Sequence, residues 1–358
     1  MRKLVLSSLL AVVAVPSSTI VHTDGRAVAP CTAATSACQQ WVTYGNGPAR
    51  SMVYSTHSLD TPNRSVTRAL IMVHGAGRNA DHYFATATAA GFLAGALENT
   101  VIISPRLLAA PDTAQVNEVV WPNGNNSWRS GGISPSHPML TSFDFIDELV
   151  RRLADKRTFT NLTQIVVAGH SAGGQVVTRY EMVNKVHDTK GVSITYVVAN
   201  PSSYAWPAAV RPLPTGDADP AGADREALGA NGEKLHTNFA FGTFDAEKLP
   251  AYNRWPAGLE GRVGYAAPMT DEQLLRQLAQ RPTTYLLGQV DVLPLGGFDS
   301  SPIAMAQGPT RRARGEAFFA YVTENLHANA TAIIVPECGH NDRCMFTTDV
   351  VLPVLFPR

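Results

Sequence analysis

The sequence predicts one large α/β domain with a mostly parallel central sheet and helices on both faces. Short apolar runs rich in β-branched residues alternate with helix-like segments through the middle of the chain, which is the pattern of strand–helix–strand units. The chain has 358 residues, 45% of them hydrophobic and 16% charged, so it can bury one large core. We therefore expect a single domain over residues 30–358.

The first residues have the features of a secretory signal peptide. Arg2 and Lys3 precede an apolar run that is too short to span a bilayer. Cleavage is open between the small residues Ala27-Val28-Ala29 and a site near Ser17. We expect residues 1–29 to be signal peptide and leader, and the protein to be secreted, either outside the cell or into a periplasm. The rest of the sequence holds no apolar segment that predicts stable membrane anchoring.

The four cysteines agree with an oxidising compartment. They allow three pairings. We favour Cys31–Cys38 and Cys338–Cys344, because the members of each pair are close in sequence. The second pair flanks His340, so we expect that disulfide to brace this histidine.

Charge and histidine spacing argue against several classes of partner. Basic and acidic residues balance at 29 each, and no cluster of lysine and arginine predicts nucleic acid as a partner. The histidines lack H-E-x-x-H or another ligand spacing, so we expect no metal and no other cofactor. The sequence leaves the oligomeric state open.

Apolar patterns and turn residues place the elements in the first half of the chain. We expect strands near residues 40–44, 51–56, 69–73 and 101–103, and helices near 79–97 and 142–153. A long loop, residues 117–138, contains Trp121 and Trp128, which argue against disorder.

The second half continues the alternation. We expect strands near residues 192–198, 283–287 and 332–335, and helices near 310–326 and 347–355. An insertion at about 200–281 separates two of these strands. It follows the carboxyl end of a strand, so it is either a lid over the site or a surface excursion.

The central motif is Gly169-His170-Ser171-Ala172-Gly173, which lies between a β-branched run and a helix-like segment. In that context the motif predicts a nucleophile elbow, a turn tight enough to strain the backbone at Ser171. Gly169 and Gly173 let strand and helix approach each other. The serine hydroxyl then stands at a helix N-terminus, where negative charge is favoured.

A serine nucleophile needs a base and an acid, and both are predicted at later strand ends. Asp291 follows the strand near 283–287, and His340 follows the strand near 332–335. The chain order Ser171, Asp291, His340 is the order of such triads on parallel sheets. Asp299 is the next candidate for the acid, while Asp245 and Asp342 are weaker ones. His74 and His170 are expected to pack or hydrogen-bond around the site.

The oxyanion hole is expected to use the backbone N–H of Ala172, which follows the nucleophile. Its second donor should come from the turn His74-Gly75-Ala76-Gly77, with Ala76 as first choice and Gly77 as second.

These residues make the chain resemble the secreted α/β-hydrolases, and within them the serine esterases related to polyhydroxybutyrate depolymerases and feruloyl esterases. The resemblance implies an α/β-hydrolase fold over essentially the whole mature chain. It implies a hydrolase that cleaves carboxylic esters through an acyl-enzyme, with a small or polymeric ester as substrate. Two alternatives stay open: a serine peptidase or amidase with the same triad, and a non-catalytic binding protein on the same scaffold.

Overall fold

A computed structural model describes residues 29–124, 126–189, 191–214 and 239–358. The predicted signal peptide lies outside the described residues. Among those residues, no helix is both long enough and apolar enough to cross a membrane. Both predicted disulfides are present, Cys31–Cys38 and Cys338–Cys344.

A sheet of eight strands runs through the described part of the chain, and a separate pair of strands lies in the insertion. The strands are β1 (Gln39–Thr43), β2 (Arg50–Ser55), β3 (Arg68–Val73), β4 (Thr100–Pro105), β5 (Gln164–His170), β6 (Ser193–Ala199), β7 (Val210–Pro214), β8 (Phe239–Thr243), β9 (Thr283–Gly288) and β10 (Ala330–Val335). The order in the large sheet is β1-β2-β4-β3-β5-β6-β9-β10. From β4 to β10 all neighbours are parallel, whereas β1 and β2 are antiparallel additions, so the predicted fold class is confirmed.

Helices cover both faces of the sheet. They are α1 (Ala80–Leu93), α2 (Ser142–Ala154), α3 (Ala172–Val183), α4 (Asp271–Gln280), α5 (Pro302–Met305), α6 (Arg311–Leu326), α7 (Asp342–Thr347) and α8 (Leu352–Leu355). Helix α1 is shorter than predicted, since Gly95 takes a left-handed conformation just beyond its end. The single helix predicted near 347–355 is wrong. Two short helices stand there, and Pro353 in the first turn of α8 has no N–H with which to continue an earlier helix.

The central strands are buried on both sides, as expected for a parallel sheet. In β3, the side chains of Ala69, Ile71 and Val73 join one core cluster, while Leu70 and Met72 join the other. The first cluster is covered by α2, α3, α4 and α6, and the second by α1, α7 and α8. Because every residue of the strand after Arg68 is buried, its sequence from Ala69 to Val73 is a continuous apolar run rather than an alternating one.

The insertion at about 200–281 is described as far as Pro214 and again from Phe239. It contains the antiparallel pair β7–β8 and helix α4, neither of which the sequence analysis anticipated. Its Trp255 indole donates to the carbonyl of Ser130 at 3.2 Å, and the Tyr265 amide donates to the carbonyl of Gly131 at 2.9 Å. These bonds join the insertion to the tryptophan-containing loop.

The closest approach of strand and helix occurs where β5 turns into α3. A Cβ atom added at Gly169 would lie 2.4 Å from the backbone of Gly173. A Cβ atom added at Gly173 would lie 2.2 Å from the carbonyl oxygen of Val73. Both obstacles are backbone atoms, so neither can move without displacing a strand or a helix. The two glycines are therefore required by packing.

We predict that Gly173→Ala destabilises the fold by about 1–3 kcal/mol or prevents folding, because the added methyl overpacks a rigid backbone contact. Gly47→Ala is the matched control, since the exposed Gly47 has no atom within 4 Å of its added Cβ. Urea unfolding of both variants checks this, and equal midpoints would contradict the packing argument.

Candidate active site

Ser171 occupies the turn between β5 and α3. Its backbone angles are φ 58° and ψ −120°, a region that residues other than glycine rarely adopt, so the strain predicted from the motif is present. The Ser171 amide donates to the carbonyl of Ala199 at the end of β6, and Gln175 donates to the carbonyl of Ser171. These two bonds fix the turn on both sides.

The structure brings Ser171, His340 and Asp291 into one hydrogen-bonded chain. The Ser171 hydroxyl and His340 Nε2 are 2.9 Å apart, and His340 Nδ1 and Asp291 Oδ2 are also 2.9 Å apart. Asp291 lies just past β9 and is 2% exposed. His340 follows β10, on the loop closed by the Cys338–Cys344 disulfide. The geometry is that of a nucleophile, a base and an orienting acid.

The competing carboxylates lie elsewhere. Asp299 Oδ1 accepts from the Ser301 amide at 2.9 Å, and Asp245 pairs with Lys248. Asp342 accepts hydrogen bonds from the α1 side chains His82 and Thr86, at 3.0 and 2.7 Å. His340 is thus hydrogen-bonded to Asp291 rather than to any of these three.

Arg311, on α6, contacts the second oxygen of Asp291. Its guanidinium lies 3.5 Å from Asp291 Oδ1, and it also donates to the Ser202 hydroxyl and to the Gly296 carbonyl. The side chains of Arg311 and Asp291 are both buried. Arg311 and His340 thus contact different oxygens of the Asp291 carboxylate and together fix its orientation.

Asn200 joins the ends of three strands. It directly follows β6 and has a positive φ of 43°. Its side-chain oxygen accepts from the Gly288 amide at the end of β9, and its Nδ2 donates to the Gly339 carbonyl beside His340. One amide side chain therefore fixes the strand that carries Asp291 and the loop that carries His340.

The turn His74-Gly75-Ala76-Gly77 follows β3 and lies against the serine. A Cβ atom added at Gly75 would be 3.7 Å from the Ser171 Cβ. The His74 ring fixes the turn, because its Nε2 accepts from the Leu107 amide and its Nδ1 donates to the Gly75 carbonyl. Burial lowers the pKa of His74 to about 4, so the ring is neutral and can keep both bonds.

Three backbone amides at the site have no hydrogen-bond acceptor among the described residues, namely those of Ala172, Ala76 and Gly77. Ala172 is the first residue of α3, where amide groups have no partner within the helix. The amides expected to form the oxyanion hole therefore have no acceptor among the described residues. Either Ala76 or Gly77 can be the second donor.

Tyr83 connects the two halves of the site. Its hydroxyl is 3.0 Å from His170 Nδ1, next to the serine. The Tyr83 hydroxyl also accepts a hydrogen bond from the Gly75 backbone, which lowers the pKa of Tyr83. Burial raises that pKa and has the larger effect, so the pKa of Tyr83 lies above its usual value. The centroid of the His170 ring lies 4.5 Å from that of the His340 ring, with the two planes tilted by 37°, and burial keeps the pKa of His170 well below its usual value. A neutral imidazole thus lies beside the predicted base.

Sequence reasoning missed Tyr83, Asn200 and Arg311. Asn200 carries a usable signal, since it stands directly after a predicted strand and asparagine tolerates positive φ. Tyr83 and Arg311 lie on helices without any motif of their own, and only the packing of those helices brings them to the site.

Comparisons with known proteins agree with this architecture. The sequence model described as the Alpha/beta hydrolase family matches residues 70–351. The solved structure of poly(aspartic acid) hydrolase-1 from Sphingomonas sp. KT-1 is 22% identical with a TM-score of 0.56, and the match covers 86% of this chain and 94% of that one. LpqC, a poly(3-hydroxybutyrate) depolymerase from Bordetella parapertussis, is also 22% identical with a TM-score of 0.55, covering 87% and 85%. A search of curated proteins found no match.

We predict that Asp291→Asn lowers kcat by about ten-thousandfold, because an amide no longer fixes the tautomer of His340. Asp299→Asn is the matched control and should have a mild effect, since Asp299 does not contact the histidine. Steady-state kinetics with both purified variants decide the assignment. The reverse ranking would move the acid to Asp299.

We also predict that Cys338→Ser/Cys344→Ser lowers both stability and kcat. Loss of so short a loop closure costs roughly 2 kcal/mol, and a misplaced base can cost about a hundredfold in rate. Cys31→Ser/Cys38→Ser is the control, because it removes a disulfide that closes a loop of similar length before β1. Thermal melting and kcat separate the two effects. Full kcat in the first double mutant would show that the bridge does not brace His340.

Proposed function

The chain belongs to the Alpha/beta hydrolase family, and on that premise we propose that it is a secreted serine hydrolase that cleaves carboxylic esters. One observation carries the proposal: the continuous hydrogen-bonded chain from Ser171 through His340 to Asp291, with both links at 2.9 Å. Backbone amides with no acceptor among the described residues stand at the start of α3 and in the 74–77 turn, which lies against the serine.

In the proposed first step, Ser171 Oγ attacks the ester carbonyl while His340 Nε2 takes the hydroxyl proton. Asp291 accepts a hydrogen bond from Nδ1 and stabilises the imidazolium that forms. The negative charge moves to the carbonyl oxygen. There the amides of Ala172 and of Ala76 or Gly77 stabilise it, together with the N-terminal end of α3.

The tetrahedral intermediate then collapses, and His340 gives its proton to the leaving alcohol. The acyl group remains on Ser171. A water molecule next attacks the acyl-enzyme as His340 takes a proton from it, and the free acid leaves while the proton returns to Ser171. No cofactor takes part in these steps, and every proton transfer uses the same imidazole.

The likeness to the two solved structures supports the fold, and their names suggest which substrates to try first. One acts on poly(3-hydroxybutyrate), a polyester, so polymeric as well as small esters belong in the screen. The other acts on poly(aspartic acid), whose backbone is an amide, so an amidase with the same triad is the second candidate.

Export is part of the proposal. The two short-range disulfides are compatible with an oxidising compartment, and the basic and apolar start of the sequence is typical of a signal peptide. The N-terminal sequence of the protein recovered from culture medium or periplasm would locate the cleavage site.

We predict that Ser171→Ala abolishes both turnover and covalent labelling by a fluorophosphonate, because the alanine lacks the attacking oxygen. Ser58→Ala, at an exposed position, is the control and should keep both. A set of p-nitrophenyl esters of increasing chain length, aryl esters, amides and polyester films gives the substrate class. Wild-type labelling of the alanine variant would refute the proposed nucleophile, and faster cleavage of amides than of esters would favour the amidase.

A further inference from the structure

A cavity of about 500 Å³ lies along helix α3, which begins directly after Ser171. Its walls come from the tryptophan-containing loop (Asn126, Ser127 and Arg129), from the insertion (Arg254, Trp255 and Pro256) and from the segment that leads into α5 (Asp299, Ser301 and Ile303). On the helix side it is lined by Gln175 and Arg179, which follow Ser171 at four-residue intervals and so lie on one face of α3. A helix rises about 1.5 Å per residue, so these side chains start about 6 and 12 Å from the serine along the axis.

The lining of this cavity is cationic although the whole chain has no net charge. Arg129, Arg179 and Arg254 line it, against the single carboxylate of Asp299. Within the described residues, none of the three guanidinium groups has a carboxylate in ion-pair contact. Elsewhere in the same residues, Arg78 and Arg312 each have such a partner.

Arg179 is buried, and its hydrogen bonds all go to neutral groups. It donates to the carbonyls of Pro256, Arg129 and Gln175 and to the Ser203 hydroxyl. A guanidinium has five N–H donors, so this set leaves one of them over. Burial lowers the pKa of Arg179 to about 9, which still leaves the group protonated at neutral pH.

Arg129 also lines the cavity, with part of its guanidinium unsatisfied. Its Nε is buried and has no hydrogen-bond partner among the described residues. The guanidinium stacks over the ring of Trp128 at 5.3 Å, which holds it in place without neutralising it. A buried, unpartnered N–H of a cation is costly, and an anion in the cavity would remove that cost.

Asp299 does not cancel these charges. Its Oδ1 accepts from the Ser301 amide, and it makes no ion pair in the described residues. The charge of Asp299 acts on Arg129 and Arg179 only at longer range. It raises the pKa of each, but by less than burial lowers it. Among the described residues that line the cavity, three cations and one anion leave an excess of positive charge.

We propose that this cavity is a subsite for a carboxylate group of the substrate, so that the enzyme prefers esters carrying a free carboxylate a short chain away from the scissile bond. The inference rests on the proposed function, whose substrate class it names. Planar guanidinium groups suit the two oxygens of a carboxylate, and Trp255 and Ile303 offer apolar surface to the intervening chain. The spacing along α3 fits a carboxylate on the order of 6–12 Å from the serine.

The test compares kcat/KM for p-nitrophenyl hydrogen adipate and p-nitrophenyl hexanoate, each divided by its own rate of hydroxide cleavage. We expect the anionic ester to be preferred by about tenfold or more, as for a charge-assisted hydrogen bond. The p-nitrophenyl ester of 6-aminohexanoate should be the poorest of the three. A second pair, 4-acetoxybenzoate and its methyl ester, places the carboxylate on the alcohol side and shows which part of the substrate the subsite holds.

Arg129→Gln and Arg254→Gln should each reduce the anionic-to-neutral ratio several-fold, whereas Asp299→Asn should raise it. Arg276→Gln is the matched control. Arg276 is exposed on α4, so this substitution removes the same charge at a position that does not line the cavity. Arg179 is left unchanged, since its four hydrogen bonds also hold the surrounding loops together.

Adipate binding gives a readout that does not need turnover. Calorimetry on Ser171→Ala should show adipate binding at least about tenfold more tightly than hexanoate, and Arg129→Gln should remove the difference. Equal ratios for the two esters together with equal binding of the two acids would overturn the subsite. If instead no ester or amide is cleaved and the fluorophosphonate does not label Ser171, the proposed function fails, while adipate binding still decides the subsite.

Discussion

The contact between Gly169 and Gly173 is the constraint on which the rest of the site depends. It lets α3 begin directly at the end of β5, and Ser171 between them takes the strained conformation with φ 58°. Gly173 also lies against the carbonyls of Val73 and His74, so the 74–77 turn packs on the β5–α3 turn with no side chain between them. A single close backbone approach therefore sets the serine, the amides around it and the direction of α3.

The remaining parts are brought to that point by parallel strand pairing. In the register of β9 and β10, Gly288 is opposite Val335, so the loops that carry Asp291 and His340 leave the sheet side by side. Asn200 bonds to both strand ends, and Gly296 folds the acid loop back against the His340 ring, where an added Cβ would lie 2.8 Å away. The distances that join Ser171, His340 and Asp291 therefore depend on backbone positions that are each held by more than one contact.

Much of this could be predicted from the sequence because the signals are local. The strand–turn–helix around Ser171, the strand ends before Asp291 and His340, and the two short-range disulfides each depend on residues close together in the chain. Helix α4 could also have been found, since Thr270 and Gln273 form a capping box before Leu274 and Leu278. The acid could not be chosen between Asp291 and Asp299, because that depends on how a glycine-containing loop folds back. Arg129 and Arg179 gave no signal, since their burial results from the docking of the insertion onto the tryptophan-containing loop.

Buried acids in this protein differ from the arginines that line the cavity beside α3. Buried acids here are either bonded by several donors or discharged: Asp147 accepts from the hydroxyls of Tyr180 and Tyr265, and burial raises the pKa of Glu181 to about 8, so that it is neutral at pH 7. An arginine cannot become neutral in this way, because its guanidinium keeps its proton. Arg179 lies on the same helix as Glu181 and is held only by neutral groups, so its charge stays uncompensated at a cost in folding free energy. Other buried arginines, such as Arg211 and Arg314, are also bonded only to neutral groups. What distinguishes Arg129 and Arg179 is that they line a cavity along the helix that begins after Ser171, where, under the proposed subsite, a ligand supplies a negative charge.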